Sequence, residues 1–242
     1  MSAIIQYNTP IMATRAKYFY LNFVKKEKIS KDVFIFYFDR KSTSLNFQAG
    51  QYMHVYLPII NEKGRGNSRM FTIASSPLEK DYIFIATKRG KSLFKKSLFK
   101  LISQTPVKFY GPSGGLVLDE AKKPSYIFLA LGIGITPFRS IIKYISQKNL
   151  NISITLLAGF SKKEDLCFYD ELMDISKYNS SIKIIYTLTR ITPNIIKKYI
   201  KNINEPLYYI VGSPTSVSDL EEVVFGMGVS SNKIFIENFE GY

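Results

Sequence analysis

The chain of 242 residues is short of the side chains that hold metals and cross-links. It has one cysteine, Cys167, and one histidine, His54. A single thiol excludes a disulfide within the chain. It also excludes an iron–sulfur cluster held by the chain's own cysteines, which needs several thiolates. A catalytic zinc takes about three protein ligands, commonly histidines, so no metal site is expected. Long apolar runs are missing too, and none reaches the ~18 residues of a membrane span. The N-terminus lacks the charged-then-apolar pattern of a secretory signal, and residues 1–16 read as a tail. Together these absences point to a reducing cytoplasm. Acidic residues are few, 19 against 33 Lys and Arg, for a net charge of +14. A basic balance attracts nucleic acid, anionic membrane or acidic proteins. Here the lysines are spread along the chain with no nucleic-acid motif beside them, so the charge reads as a compositional bias and nucleic acid is not an expected partner.

What is present is enough apolar material for real cores, 46% of the residues, in two different rhythms. Residues 18–25, 31–39, 51–57, 68–74, 81–87 and 106–110 are short runs rich in aromatic and β-branched side chains, bounded by Gly, Asn, Ser, Lys or Pro. Six such strands in this span predict an antiparallel β-barrel over residues 17–118. A helix over 92–103 interrupts them, with Ser92 as its cap and Leu93, Phe94, Leu98, Leu101 and Ile102 at helical spacing. After Pro124 the rhythm changes. Fully apolar runs at 125–131, 152–158, 182–188, 207–211 and 233–237 alternate with helical stretches, which predicts a parallel doubly wound α/β unit over 119–242. Thr136-Pro137 and Thr192-Pro193 read as helix starts, and Ser161 with Glu164 as a capping box. Cys167 then falls inside a helix, as a small core residue.

Two segments carry chemistry. The first is Gly132-Ile-Gly134-Ile-Thr136-Pro137, in the first βα turn of the parallel unit. Its glycines permit a tight turn and close approach to a phosphate, and the helix that follows presents free N–H groups and a positive dipole end. The second is Arg69-Met70-Phe71-Thr72 at a barrel strand. In a strand, residues 69 and 71 share one face and 72 lies on the other, so a ligand must wrap the strand or the strand must bend.

These segments, with Gly111-Pro112-Ser113-Gly114 between them, resemble the ferredoxin–NADP+ reductase superfamily. Its pattern is Arg-x-Tyr/Phe-Ser/Thr, then Gly-Pro-x-Gly, then Gly-x-Gly-x-x-Pro, and all three occur here in order. Ala49-Gly50-Gln51, Val211-Gly212-Ser213-Pro214 and Ile236-Glu237-Asn238-Phe239 match as flanking pieces. The resemblance implies FAD in the first unit, NADPH or NADH in the second, and hydride transfer from nicotinamide to flavin followed by release of electrons to an acceptor. It implies that Arg69 pairs with the FAD pyrophosphate and that Phe71 and Thr72 lie against the flavin ring, with Thr72 as a catalytic residue. Met70, Thr87, Gly90 and Ser92 complete the flavin set. Gly132, Gly134, Thr136, Pro137 and Gly212 are implied for the nicotinamide coenzyme. Glu237 is the second catalytic candidate, and Phe239 or Tyr242 covers the flavin, Phe239 being preferred. Many members carry Cys-Gly at the last βα turn, whereas this chain has Val211-Gly212.

Arg190, after the third parallel strand, stands where the superfamily reads the 2′-phosphate of NADPH, which favours NADPH over NADH. The acceptor is expected to be a separate protein, an acidic ferredoxin or flavodoxin or an oxygenase partner. A ferric-siderophore or free-flavin reductase, or a flavin-binding subunit of a larger complex, are the alternatives. Gly111-Pro-Ser113-Gly-Gly115 also fits the hydrolase elbow Gly-x-Ser-x-Gly, but no histidine lies downstream and no helical pattern follows, so that reading fails.

Overall fold

A computed structural model of the chain describes residues 16–41, 43–59 and 66–239. Its first lobe contains β1 (Lys17–Lys28), β2 (Val33–Asp39), β3 (Tyr52–Tyr56), β4 (Ser68–Thr72), β5 (Tyr82–Lys88), α1 (Leu93–Phe99) and β6 (Pro106–Ser113). The strands pair antiparallel in the order β4-β3-β6-β1-β2-β5. The outer pair is drawn together just past β4, where Ala74 N donates to Phe84 O at 2.9 Å. Alternation sets the inside of this barrel-like sheet. In β3, Met53 and Val55 are buried while Tyr52, His54 and Tyr56 are partly exposed. The interior is aromatic, with Phe36, Phe38 and Phe109 fully buried.

The helix α1 closes the barrel through Phe94 and Leu98, and Ser92 caps it by accepting from Lys95 N at 3.2 Å. It ends at Phe99, earlier than the periodicity predicts. Gln104 takes a left-handed φ of 69° and donates its N–H to Phe23 O, which swings the chain into β6. Ile102, beyond that end, is therefore exposed, and so is Leu93 at the helix start.

The second lobe contains β7 (Tyr126–Leu131), α2 (Thr136–Lys148), β8 (Ile154–Gly159), α3 (Tyr169–Tyr178), β9 (Ile182–Thr187), α4 (Pro193–Lys197), β10 (Leu207–Gly212), α5 (Pro214–Gly226) and β11 (Ile234–Asn238). All five strands run parallel in the order β11-β10-β7-β8-β9. The expected fold class, a β-barrel followed by a five-stranded α/β unit, is the observed one.

Three local expectations are corrected. Thr136 is not a cap. A 3-10 turn over Gly132–Ile135 leads straight into α2, and the Thr136 hydroxyl donates to Ile133 O at 3.0 Å. Thr192, by contrast, does cap α4. The Ser161–Glu164 pair starts no helix. Glu164 is taken by Lys31 of the barrel at 2.6 Å, only a short 3-10 turn forms over Lys163–Asp165, and Phe168 adopts a left-handed φ of 57° before α3 begins. Cys167 thus lies in the break before α3, not inside a helix, though it is buried as expected.

The two lobes share a core. Val33, Ile35, Ala49, Ala74, Phe84 and Leu116 of the first pack in one cluster with Phe128, Ile135, Phe138 and Ile141 of the second.

Candidate functional site

Strand order reverses between β7 and β10, and a cleft opens there at the carboxyl ends of the strands, where doubly wound sheets bind ligands. Its volume is about 470 Å³, and Lys88, Gly132, Gly159, Thr189, Arg190 and Ser213 are among its lining residues. The two glycines of the turn serve different needs. Gly132 has a left-handed φ of 57°, which a residue with a side chain adopts only at a cost. At Gly134 a Cβ would stand 2.3 Å from Val211 O, so α2 can start against β10 only if nothing is there. Pro137 is buried in the first turn of α2. Thr136 is also buried, and its hydroxyl is engaged with Ile133 O. At Gly212, which ends β10 beside the cleft, a Cβ would meet only ordinary contacts, with Leu131 and Ser216 at 3.5 and 3.6 Å. Arg190 is exposed and pairs with Asp219 at 3.6 Å.

Lys88 was not singled out by its sequence. It ends β5 of the barrel, yet its Nζ lies 3.9 Å from where a Gly132 Cβ would be. The first lobe therefore supplies a cation to the second lobe's phosphate-type turn. The sequence offered no signal, because lysine is common throughout the chain.

The strand β4 is the edge of its sheet. Its register separates the motif as the strand period requires. Arg69 and Phe71 pair with Val55 and Met53, both buried, whereas Met70 and Thr72 pair with His54 and Tyr52. Phe71 stacks on Phe94 of α1 at 5.9 Å, and the Arg69 guanidinium lies 5.4 Å from the same ring. Met70 is exposed. Thr72 is only 5% exposed, and its Oγ1 is the one buried side-chain polar atom without a hydrogen-bond partner among the described residues. Leaving such a group unmade costs about 1–3 kcal/mol, so it marks a place where a partner belongs. Thr87 is buried in the barrel, with its hydroxyl directed to Lys88 O at 3.4 Å. Gly90 and Ser92 lie at the start of α1, where the Lys95 side chain lies over Gly90.

The chain returns to the site at its end. Phe239 is half-buried, and its N–H donates to Gly212 O at 2.8 Å. Glu237, paired in register with Val211, is half-buried with no ion-pair partner among the described residues. Burial alone pushes its carboxyl up to about 7. Tyr242, the other candidate cover, lies outside the described residues.

The first lobe thus carries an orphaned buried hydroxyl on an edge strand, and the second an anion-suited turn at a strand-order switch. Comparison with known proteins identifies the two units. Residues 20–117 match the family described as oxidoreductase FAD-binding domain, and residues 128–219 match oxidoreductase NAD-binding domain. The chain belongs to the ferredoxin–NADP+ reductase superfamily. It is an FAD- and NAD(P)-binding oxidoreductase. A flavohemoprotein of Bacillus subtilis is 24% identical over 233 residues, covering 89% of this chain and 57% of that protein. The chain thus spans little more than half of that relative's length. Ferredoxin–NADP reductase B of Sorangium cellulosum is 24% identical, covering 80% of this chain and 86% of that one. The cytochrome b5 reductase domain of Ulva prolifera nitrate reductase shares the fold, with a TM-score of 0.79 at 19% identity over 91% of this chain and 97% of that one. No helix among the described residues is long and apolar enough to cross a membrane.

Proposed function

We propose that the chain takes reducing equivalents from NAD(P)H and passes them to a separate electron-accepting protein such as a ferredoxin, a flavodoxin or an oxygenase component. The observation that carries the flavin part of this reading is the buried, unpartnered Thr72 hydroxyl on the strand that bears Arg69 and Phe71, while the acceptor class is supported by relatives named as a ferredoxin–NADP reductase and a dioxygenase electron transfer component. A hydroxyl of that kind suits a ring nitrogen or carbonyl presented along the strand edge. Arg69 suits the FAD pyrophosphate, and the amides of Gly90 and Ser92 can join it. When bound, FAD supplies the acceptor for the nicotinamide hydride and releases electrons singly or in pairs.

The chain's own contribution is placement. The turn from Gly132 to Pro137 and Lys88 hold the coenzyme's phosphates, and Ser213 and Gly212 bound the opposite wall. Phe239, tied by its N–H to Gly212 O, can cover the joint site and keep water from it. Glu237, kept protonated to near neutrality by burial, can donate a hydrogen bond beside the nicotinamide without placing a fixed negative charge there. Arg190 faces the adenosine end of the cleft, where a guanidinium favours the 2′-phosphate of NADPH.

The deciding experiment mixes purified protein with NADPH or NADH without oxygen and follows the yellow absorbance. Bleaching by the protein alone is expected. A properly folded chain that takes up no flavin overturns the reading. Thr72→Val is expected to slow bleaching about 10-fold or more, a loss of the size seen when one positioned hydrogen bond to a reacting group is removed. Acceptors are then screened, and preferential reduction of chelated iron or free flavin would displace the protein-acceptor proposal.

A further inference from the structure

The binding motifs leave one group unused. Arg139, in the first turn of α2, is a cation 4% exposed at the boundary between the lobes. All five of its N–H donors are engaged. Nε and Nη2 donate to the two carboxylate oxygens of Glu171 at 2.9 and 2.5 Å. Nη1 and Nη2 donate to those of Glu79 at 2.5 and 3.1 Å. The remaining Nη1 donor reaches Ala74 O at 3.1 Å. The guanidinium also lies over the Phe84 ring, 4.7 Å from its centre. The next residue extends the contact, because Ser140 Oγ donates to Ser75 O at 2.6 Å.

Ala74 and Ser75 follow Thr72 by two and three residues, and Arg139 follows Thr136 by three. The clamp therefore ties the backbone just past the flavin motif to the helix that issues from the coenzyme turn. We propose that Arg139, with Ser140, is a positioning residue that sets the approach of the nicotinamide to the flavin. This rests on the reading that Arg69–Thr72 receives FAD and Gly132–Pro137 receives NAD(P)H.

Strand backbone rises about 3.3 Å per residue, so only about 7 Å of chain separates the clamp from Thr72. A slip at the clamp is passed to the site with little loss. Hydride transfer depends steeply on ring approach, and a misplacement of about 1 Å can cost about 100-fold in rate. Finally, a buried ion cluster is a poor device for stability alone, since a neutral replacement is often as stable, whereas a bidentate guanidinium fixes angle as well as distance.

The test uses the FAD-loaded full chain and three variants: Ser140→Ala, Arg139→Lys, and the triple Arg139→Met/Glu79→Gln/Glu171→Gln, which strands no carboxylate and leaves only the partly exposed Lys143, 3.2 Å from Glu171 in the parent, without its ion pair. Spin labels on cysteines introduced at Lys100 and Lys197, one in each lobe, report the distance between them. Cys167 is buried, with its thiol pushed up to about 11, and does not compete for label. The triple variant is expected to retain FAD, to broaden the label–label distance distribution, and to slow anaerobic flavin reduction about 10- to 100-fold. Coenzyme affinity should move by less than about 3-fold, because the coenzyme's own contacts are untouched. Arg139→Lys and Ser140→Ala should show the same pattern in smaller degree, and they answer the question if the triple variant does not fold. A fall in melting temperature with an unchanged distance distribution and an unchanged reduction rate would make the cluster a stabilising ion pair and overturn the proposal. So would slower reduction with the distribution still narrow. If the parent chain itself fails to bleach, the functional reading falls, while the distance measurement still judges the clamp.

Discussion

Glu237 shows at the scale of one residue how burial writes a pH dependence. Its carboxyl ordinarily titrates near 4.5 and is pushed up to about 7 in the fold. Between those values the folded chain keeps a proton that the unfolded chain has released. Stability attributable to this group therefore falls as pH rises through that window. Glu237→Gln removes the dependence, so its melting temperature should gain on the parent's between about pH 5 and pH 8. An offset that stays constant with pH would show that the group does not titrate there. Gly134 gives a second residue-scale outcome. Gly134→Ala would put a methyl 2.3 Å from Val211 O, and with backbone on both sides the cost should reach about 2–4 kcal/mol, read by denaturant unfolding. The sequence marked Gly134 as part of a phosphate loop but could not say that helix packing requires it, because Val211 lies far away in the chain. In the same way it named Thr72 from a motif, while the burial that leaves its hydroxyl unpartnered comes from neighbours the motif does not contain.

At the scale of elements, local signals held where the responsible group was local. Ser92 and Thr192 cap α1 and α4 as their positions imply, each accepting an N–H from three residues on. Ser92→Ala should lower stability by about 1 kcal/mol in chemical denaturation, and because α1 starts beside Gly90 it should also weaken FAD retention in dialysis. Unchanged retention would remove the start of α1 from the flavin site. The signals failed where a distant chain intervened. The capping box at Ser161 was complete in sequence, yet Lys31 of the barrel takes Glu164 and the helix begins later. The expected helix over 92–103 stops early because Gln104 is pulled to Phe23. Strands were easier to place than helix ends, since an apolar run buried on both faces, as in β7, leaves little choice of conformation.

For the whole molecule, the shared core has a thermodynamic consequence. Side chains from both lobes form one cluster, and Arg139 bonds groups on both sides of the boundary. The full chain should therefore unfold in a single calorimetric transition, with the calorimetric and van't Hoff enthalpies equal. Two resolved transitions would mean that the lobes are energetically separate. The sequence by itself determined the alternation of residue types, and hence a barrel followed by a parallel α/β unit. It also determined the glycine, arginine and hydroxyl motifs, because each of these acts through the backbone within a few residues of itself. Tertiary structure alone decided that Lys88 reaches the turn at Gly132, that Thr72 is sealed without a partner, that Glu237 is desolvated, and that Arg139 joins the two motifs. Each of those depends on the distance between residues far apart in the chain, and such distances exist only once the two lobes have packed against each other.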